Sequence, residues 1–204
     1  IRISSIEPNL LTDQIIEYCA HSEKFMPHFH VPLQSGSNKT LKNMKRRYKR
    51  EYYEGRVKKI KSNIPDACIG ADVIVGFPGE TEDNFLETYN FLNELNISYL
   101  HVFTFSERLN TVAFEMCEVV PKAIKTERRK MLHILSDKKQ RCFHDQFINK
   151  NRPVLFESIK NGKILGHTDN YIQVQVKTES NFINTIQDVK LIDNHNTFVV
   201  GDIV

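Results

Sequence analysis

Four polar positions and one glycine-bracketed turn are where this sequence could do chemistry. Glu7 closes a short apolar run, and Asp72 opens the run Asp72-Val73-Ile74-Val75. Both carboxylates can accept hydrogen bonds from hydroxyl or amino groups. Each is equally readable as an ordinary acid at a strand end or on a strand face. Gln34 follows another apolar run, and Arg46 lies within Lys45-Arg46-Arg47, which taken alone reads as basic surface. Gly76-Phe77-Pro78-Gly79-Glu80 sets two glycines at a strand end, where backbone can approach a flat ligand without a Cβ in the way. By itself that stretch is also a plain turn ahead of a helix, with Glu80 merely preceding its cap. His30 and His101 sit in apolar runs with no second metal ligand at a useful spacing, so both are read as structural. Cysteines 19, 68, 117 and 142 match no zinc, disulfide or iron-sulfur spacing, and read as buried free thiols in a reducing cytosol.

The elements that must position these residues alternate between strands and helices. Strands are expected at Arg2–Ile6, Phe29–Leu33, Ile69–Gly76 and Leu100–Phe105, the third nearly all apolar, as in a parallel strand covered on both faces. Thr12 is expected to cap a helix carrying Ile15, Ile16 and Cys19. Thr81 is expected to cap another with Glu82 and Asp83 in its first turn and Phe85, Tyr89, Leu92 and Leu95 as its apolar stripe. These strand-helix units imply a parallel sheet, open or part of a barrel. A long helix is predicted over Thr126–Asn149, with Met131, Ile134, Leu135 and Cys142 on one face. From Pro153 the pattern shortens to five β-prone runs with turns at Asn161-Gly162 and Asp169-Asn170, which suggests a small OB-like antiparallel barrel, a shape often used on oligonucleotides.

The composition, 40% apolar with a net charge of +3, is that of a globular chain, and no apolar run approaches the roughly 20 residues of a membrane helix. The charge is uneven. Residues 39–61 hold 11 Lys and Arg against 2 acids, and residues 122–152 hold 10 against 3, whereas Arg108 is the lone base against 10 acids over 62–121. Two basic surfaces of this kind are usually solvated faces, yet they also suit a phosphate backbone. Ile1 already lies in an expected strand, so the natural chain is expected to begin upstream.

Four stretches then carry a likeness: Arg2-Ile3-Ser4-Ser5-Ile6-Glu7-Pro8, His30-Val31-Pro32-Leu33-Gln34-Ser35-Gly36-Ser37, Asp72 to Thr81, and His101-Val102-Phe103-Thr104-Phe105-Ser106-Glu107-Arg108. In this order, followed by Gly166-His167-Thr168-Asp169-Asn170-Tyr171, they resemble the radical-SAM methylthiotransferase family with its C-terminal TRAM barrel. Glu87-Thr88-Tyr89-Asn90-Phe91-Leu92 is most similar to the branch that acts on threonylcarbamoyladenosine beside the tRNA anticodon. Phe105, where Tyr is expected, and Leu109-Asn110-Thr111, where Gly usually precedes Thr, depart from the pattern.

The resemblance implies an α/β domain over residues 1–140, the C-terminal part of a radical-SAM barrel with parallel strands, and a TRAM-like RNA-binding β-barrel over 141–204. It implies S-adenosylmethionine and 4Fe-4S clusters as cofactors, tRNA as partner, an electron donor and a sulfur source, a cytoplasmic setting and no membrane. The cofactor would carry the hard chemistry, replacing hydrogen on carbon 2 of the adenine with a methylthio group. Cofactor contacts fall on Glu7, Gln34, Ser35, Arg46, Asp72, Gly76, Val102 and Phe103, with Arg46, twelve residues after Gln34, clamping the methionyl carboxylate. RNA contacts fall on Lys163, His167, Tyr171 and Lys177, although the barrel's net negative charge shifts weight to the two basic stretches. The Cys-x3-Cys-x2-Cys cluster motif is absent, so these 204 residues are expected to bind without catalysing. An aspartate methylthiotransferase of a ribosomal protein and a non-catalytic RNA-binding protein are the alternatives.

Overall fold

The computed structural model describes residues 1–116, 118–178 and 180–204, which leaves Cys117 outside the described residues. In chain order the elements are α1 (Asp13–His21), β1 (His28–His30), α2 (Asn38–Asn43), α3 (Arg50–Asn63), β2 (Cys68–Val75), α4 (Glu82–Glu94), β3 (Tyr99–Thr104), α5 (Lys122–Asp145) and five further strands, β4 (Asn151–Lys160), β5 (Lys163–Thr168), β6 (Gln173–Lys177), β7 (Ile186–Asn194) and β8 (Val199–Ile203). The expected α/β architecture with a terminal barrel is what forms.

β1, β2 and β3 make a parallel sheet in that order, with His30 opposite Gly70 and Asp72 opposite His101. Side chains alternate across a strand. On β2 the odd positions Ile69, Ala71, Val73 and Val75 are buried with Ile16, Tyr53, Phe85, Leu92 and Leu132 in one core, while Gly70, Asp72 and Ile74 share the opposite face. The helices that cover the first face start where the sequence says. Thr12 Oγ1 accepts from Ile15 N, and Thr81 with Asn84 forms a reciprocal capping box. Ser136 of α5 straps the third strand, its Oγ accepting from Leu100 N at 2.9 Å and donating to Leu100 O at 3.1 Å.

Three expectations need correcting. Residues 2–6 form no strand but a single parallel bridge, Ile3 to Phe29, because β1 is only three residues long and offers little ladder to pair with. The long helix spans Lys122–Asp145; of the expected stripe, Leu135 is buried and Met131 packs partly buried against the core, with Leu132, Ser136 and Phe143 completing the buried face in place of Ile134 and Cys142. Ile134 and Cys142 are exposed; at 100° per residue Ile134 falls on the side opposite Leu132, whereas Cys142 shares the face of Leu135 but lies about two turns further along. The chain then leaves the helix through Asn149 in left-handed backbone, φ 66°.

The barrel closes as β4-β5-β6-β8-β7. Four pairings are antiparallel, but the β6–β8 contact that completes the ring is parallel, with Val174 opposite Val199, where five antiparallel strands had been expected. Asn161 and Gly162, φ 52° and 70°, make the tight turn their residue types call for. Alternate residues Val154, Phe156, Ile164, Val174, Val176, Val189, Leu191 and Val199 fill the interior, with Phe143 and Phe147 from the end of α5 packed among them. Sheet and barrel are joined by Arg152, whose guanidinium donates to Asp66 Oδ2 at 2.6 Å and to both Asp169 oxygens. No helix among the described residues is long and apolar enough to cross a membrane.

Candidate functional site

The carboxyl ends of parallel strands are where open α/β sheets place ligands, and here two adjoining clefts lie at those ends. One, of about 510 Å³, is lined by Ile74, Phe103, Phe105 and Arg108; the other, of about 250 Å³, by Met44, Arg46, Ile74, Phe77 and Phe105. The segment carrying Gln34 is anchored from α3 and the turn before it: Tyr53 Oη donates to Val31 O at 2.8 Å and Tyr48 Oη to Leu33 O at 3.1 Å. Burial pushes the Tyr48 phenol up to about 12.

Several of the sequence-predicted residues converge there. Arg46 Nη1 lies 3.5 Å from Glu7 Oε1, and Arg46 Nε is buried with no hydrogen-bond partner among the described residues. Gln34 has φ 73° and uses its backbone to continue the sheet, its N–H donating to Asp72 O and its carbonyl accepting from Ile74 N. Gly76 has φ 75°, and a Cβ there would collide with the Lys125 side chain, so both its backbone angle and the space around it require glycine. The Gly76 N–H donates to Glu80 Oε2 at 2.6 Å, which Arg128 Nη1 also engages at 2.8 Å. Glu80 is therefore the clamp of this loop rather than a residue that merely precedes a cap. Burial raises its carboxyl, and the Gly76 N–H and the Arg128 guanidinium oppose that shift.

Two other predicted residues turn their side chains away from the cleft. Ser35 is fully buried, its hydroxyl 3.1 Å from Thr88 Oγ1 and accepting from Ser37 N, so it ties the turn to α4. Val102 falls on the core-facing side of β3 with Leu100, because the period of two sends it opposite to His101 and Phe103. Phe103 is half exposed in the larger cleft.

Asp72 has a different setting from the one expected. Its Oδ1 lies 2.7 Å from His30 Nε2 and 3.4 Å from His101 Nδ1, so the two histidines read as isolated and structural share one carboxylate. The Asp72 hydrogen bond holds the His30 imidazole above its usual range. No spacing in the sequence announces this cluster, since the register between parallel strands is set by the intervening helices. Toward the amino ends of the strands, His28 Nε2 meets Tyr99 Oη at 3.0 Å, and burial pushes His28 down to about 4.

The barrel residues split. Lys163 and Lys177 are opposite one another on β5 and β6, with Lys160 opposite Lys163 on β4, all exposed. His167 and Tyr171 lie at the other end of β5, stacked at 5.0 Å and turned toward the sheet. The Tyr171 ring also meets His28 at 4.4 Å and the Arg2 guanidinium at 4.5 Å. Tyr171 thus belongs to the sheet–barrel junction, where it contacts His28, His167 and Arg2 while remaining 40% exposed. The basic stretch that begins at residue 39 forms an open groove of about 1030 Å³ lined by Lys39, Lys42, Lys45, Arg46, Arg47 and Lys49, so it adjoins the Arg46 cleft.

A family model described as the radical SAM superfamily matches residues 1–92. The chain is 41% identical over 197 residues to threonylcarbamoyladenosine tRNA methylthiotransferase MtaB of Bacillus subtilis (strain 168), covering 94% of this chain and 44% of that protein. It is 35% identical over 204 residues to tRNA-2-methylthio-N(6)-dimethylallyladenosine synthase of Endomicrobium trichonymphae, covering all of this chain and 49% of that protein. It therefore spans about half the length of the curated relatives it matches. Among solved structures, the coproporphyrinogen III oxidase HemN from Escherichia coli, a radical SAM enzyme, aligns with a TM-score of 0.51 at 16% identity, over 72% of this chain and 32% of that one, a likeness of fold.

Proposed function

Because this chain belongs to the radical SAM superfamily and is related along nearly its whole length to methylthiotransferases, we propose that it is the C-terminal portion of an enzyme that adds a methylthio group to carbon 2 of threonylcarbamoyladenosine beside the tRNA anticodon. The observation that carries this reading is the meeting of Glu7 and Arg46, 39 residues apart, at the carboxyl ends of the sheet, with Arg46 Nε buried and without a hydrogen-bond partner among the described residues. A buried guanidinium nitrogen without an acceptor costs free energy that an anionic ligand would return.

S-adenosylmethionine fits these residues. The planar fork of Arg46 suits its carboxylate, Glu7 its amino or ribose hydroxyl groups, and Ile74, Phe103 and Phe105 the apolar faces of its adenine, with the Gly76 loop held close by Glu80. When bound, the cofactor supplies the radical chemistry, and the chain orients it. A four-iron cluster does not fit the cysteines of these 204 residues. Cys19 and Cys68 are buried, Cys142 is exposed on α5, and none follows the Cys-x3-Cys-x2-Cys pattern. On its own, this stretch should orient ligands without turning over. The basic groove beside Arg46 and the Lys160-Lys163-Lys177 cluster are the surfaces whose charge suits tRNA phosphates.

Mass spectrometry of tRNA nucleosides from a strain lacking the gene tests this. Loss of the methylthio form with accumulation of its unthiolated precursor is the expected result. Unchanged tRNA would transfer the reading to a ribosomal-protein substrate or to RNA binding without catalysis.

A further inference from the structure

The parallel register places three potential metal ligands from three strands on one face: His30 of β1, Asp72 of β2 and His101 of β3. Their donor atoms all lie within 4.8 Å of one another. His30 Nδ1 is 2.9 Å from Ser4 O, an oxygen that only accepts, so this nitrogen carries a hydrogen. That assignment leaves Nε2 with a lone pair pointing at Asp72 Oδ1, another acceptor, only 2.7 Å away. Two lone pairs at that distance repel, so a cation has to lie between them: a second proton or a metal ion. A backbone carbonyl fixing one imidazole nitrogen while the other faces a carboxylate is the usual outer-shell arrangement of a histidine ligand.

We propose that His30 Nε2, Asp72 Oδ1 and His101 Nδ1 form a binding site for a divalent first-row transition ion. Two imidazoles and one carboxylate make the facial donor set that suits Fe(II), Zn(II), Co(II) or Ni(II) and leaves coordination positions open. Bonds of about 2.0–2.1 Å to tetrahedral zinc place ligand atoms roughly 3.3 Å apart, between the observed 2.7 and 3.4 Å. His101, with about half of its side chain exposed, is free to complete the set and keeps the open positions accessible. The site is separate from the Arg46 cleft and requires no cysteine, so it does not depend on the methylthiotransferase reading.

The test is a cobalt(II) titration of the 204-residue chain after removal of metals by chelation, followed by visible absorption and calorimetry. One equivalent should bind, with d–d bands and without thiolate charge-transfer absorption. His101→Ala, at a half-exposed position where folding should be unaffected, should weaken binding at least ~10-fold, and Cys142→Ser should leave it unchanged. Circular dichroism of His101→Ala checks that the fold survives. Absence of binding at roughly millimolar cobalt, or equal binding by His101→Ala, would overturn the proposal and leave a proton as the cation of this cluster.

Discussion

The sheet and the barrel are built from the same alternation of side chains, yet they distribute polarity in opposite ways. In the barrel every strand pairs on both sides, and the inward positions from Val154 to Val199 are apolar, so charge stays on the outer wall. In the sheet one face is sealed by α1, α3, α4 and α5, while the other carries His28, His30, Asp72, Tyr99 and His101, tied to one another by hydrogen bonds and ring contacts. The closed interior is filled mainly by side chains that need no partner, and the buried polar Thr168 and Asn170 pair with each other, Thr168 Oγ1 donating to Asn170 Oδ1 at 2.6 Å. An open sheet face can hold polar groups that neutralise each other, and that is where the candidate chemistry lies.

The largest effect expected from breaking this contrast is at the most deeply buried ion pair among the described residues, Arg128 with Glu80. Arg128→Met strands the Glu80 carboxylate, whose side chain is 1% exposed, and should cost about 3–5 kcal/mol in denaturant unfolding while loosening the Gly76 loop. In the barrel, Leu191→Ala removes a fully buried side chain and should cost about 3 kcal/mol. If the barrel melts as its own unit, this variant will separate a barrel transition from the sheet's; a single shifted transition would mean that the two regions unfold together. Arg152→Ala cuts the link from the barrel to Asp66 and should cost about 1–2 kcal/mol, because Asp66 is half exposed and can regain water.

The smallest effect is alkaline. Burial pushes the Cys68 thiol and the Tyr48 phenol up to about 12, and raises Tyr53 and Tyr99 as well, all in the sheet region. Their folded-state values lie above the unfolded ones of 9.0 and 10.0, so the neutral groups favour the fold. That contribution is complete below about pH 9 and is lost as pH rises through 12. The phenolate absorbance that belongs to Tyr48, Tyr53 and Tyr99, read as the difference from their Phe variants, should therefore appear together with loss of the sheet. Ionisation of these three rings at about pH 10 without unfolding would show them to be more accessible than the fold implies.

Much of the architecture could be read from residue order. The caps at Thr12 and Thr81, the turn at Asn161-Gly162 and the switch from helical period to strand period after the long helix are local signals, each set by a few neighbouring side chains. Gly76 was also legible, because a glycine at a strand end marks a backbone need. What was misread depended on partners distant in sequence. Ser35 and Val102 were placed at the cleft, and packing sends one to Thr88 and the other into the core. Tyr171, expected to face RNA, also packs at the junction with Arg2 and His28, contacts that no local window announces. His30 and His101 were read as isolated, and strand register joins them through Asp72.

The sequence by itself determined the elements, their order, the family likeness and the residue types available for chemistry, since these follow from local propensity, periodicity and motif. Only the tertiary structure decided which side chains meet. A one-residue change in strand phase reverses the face a side chain occupies, and the register of parallel strands depends on how the crossover helices pack, which no local window of the chain encodes.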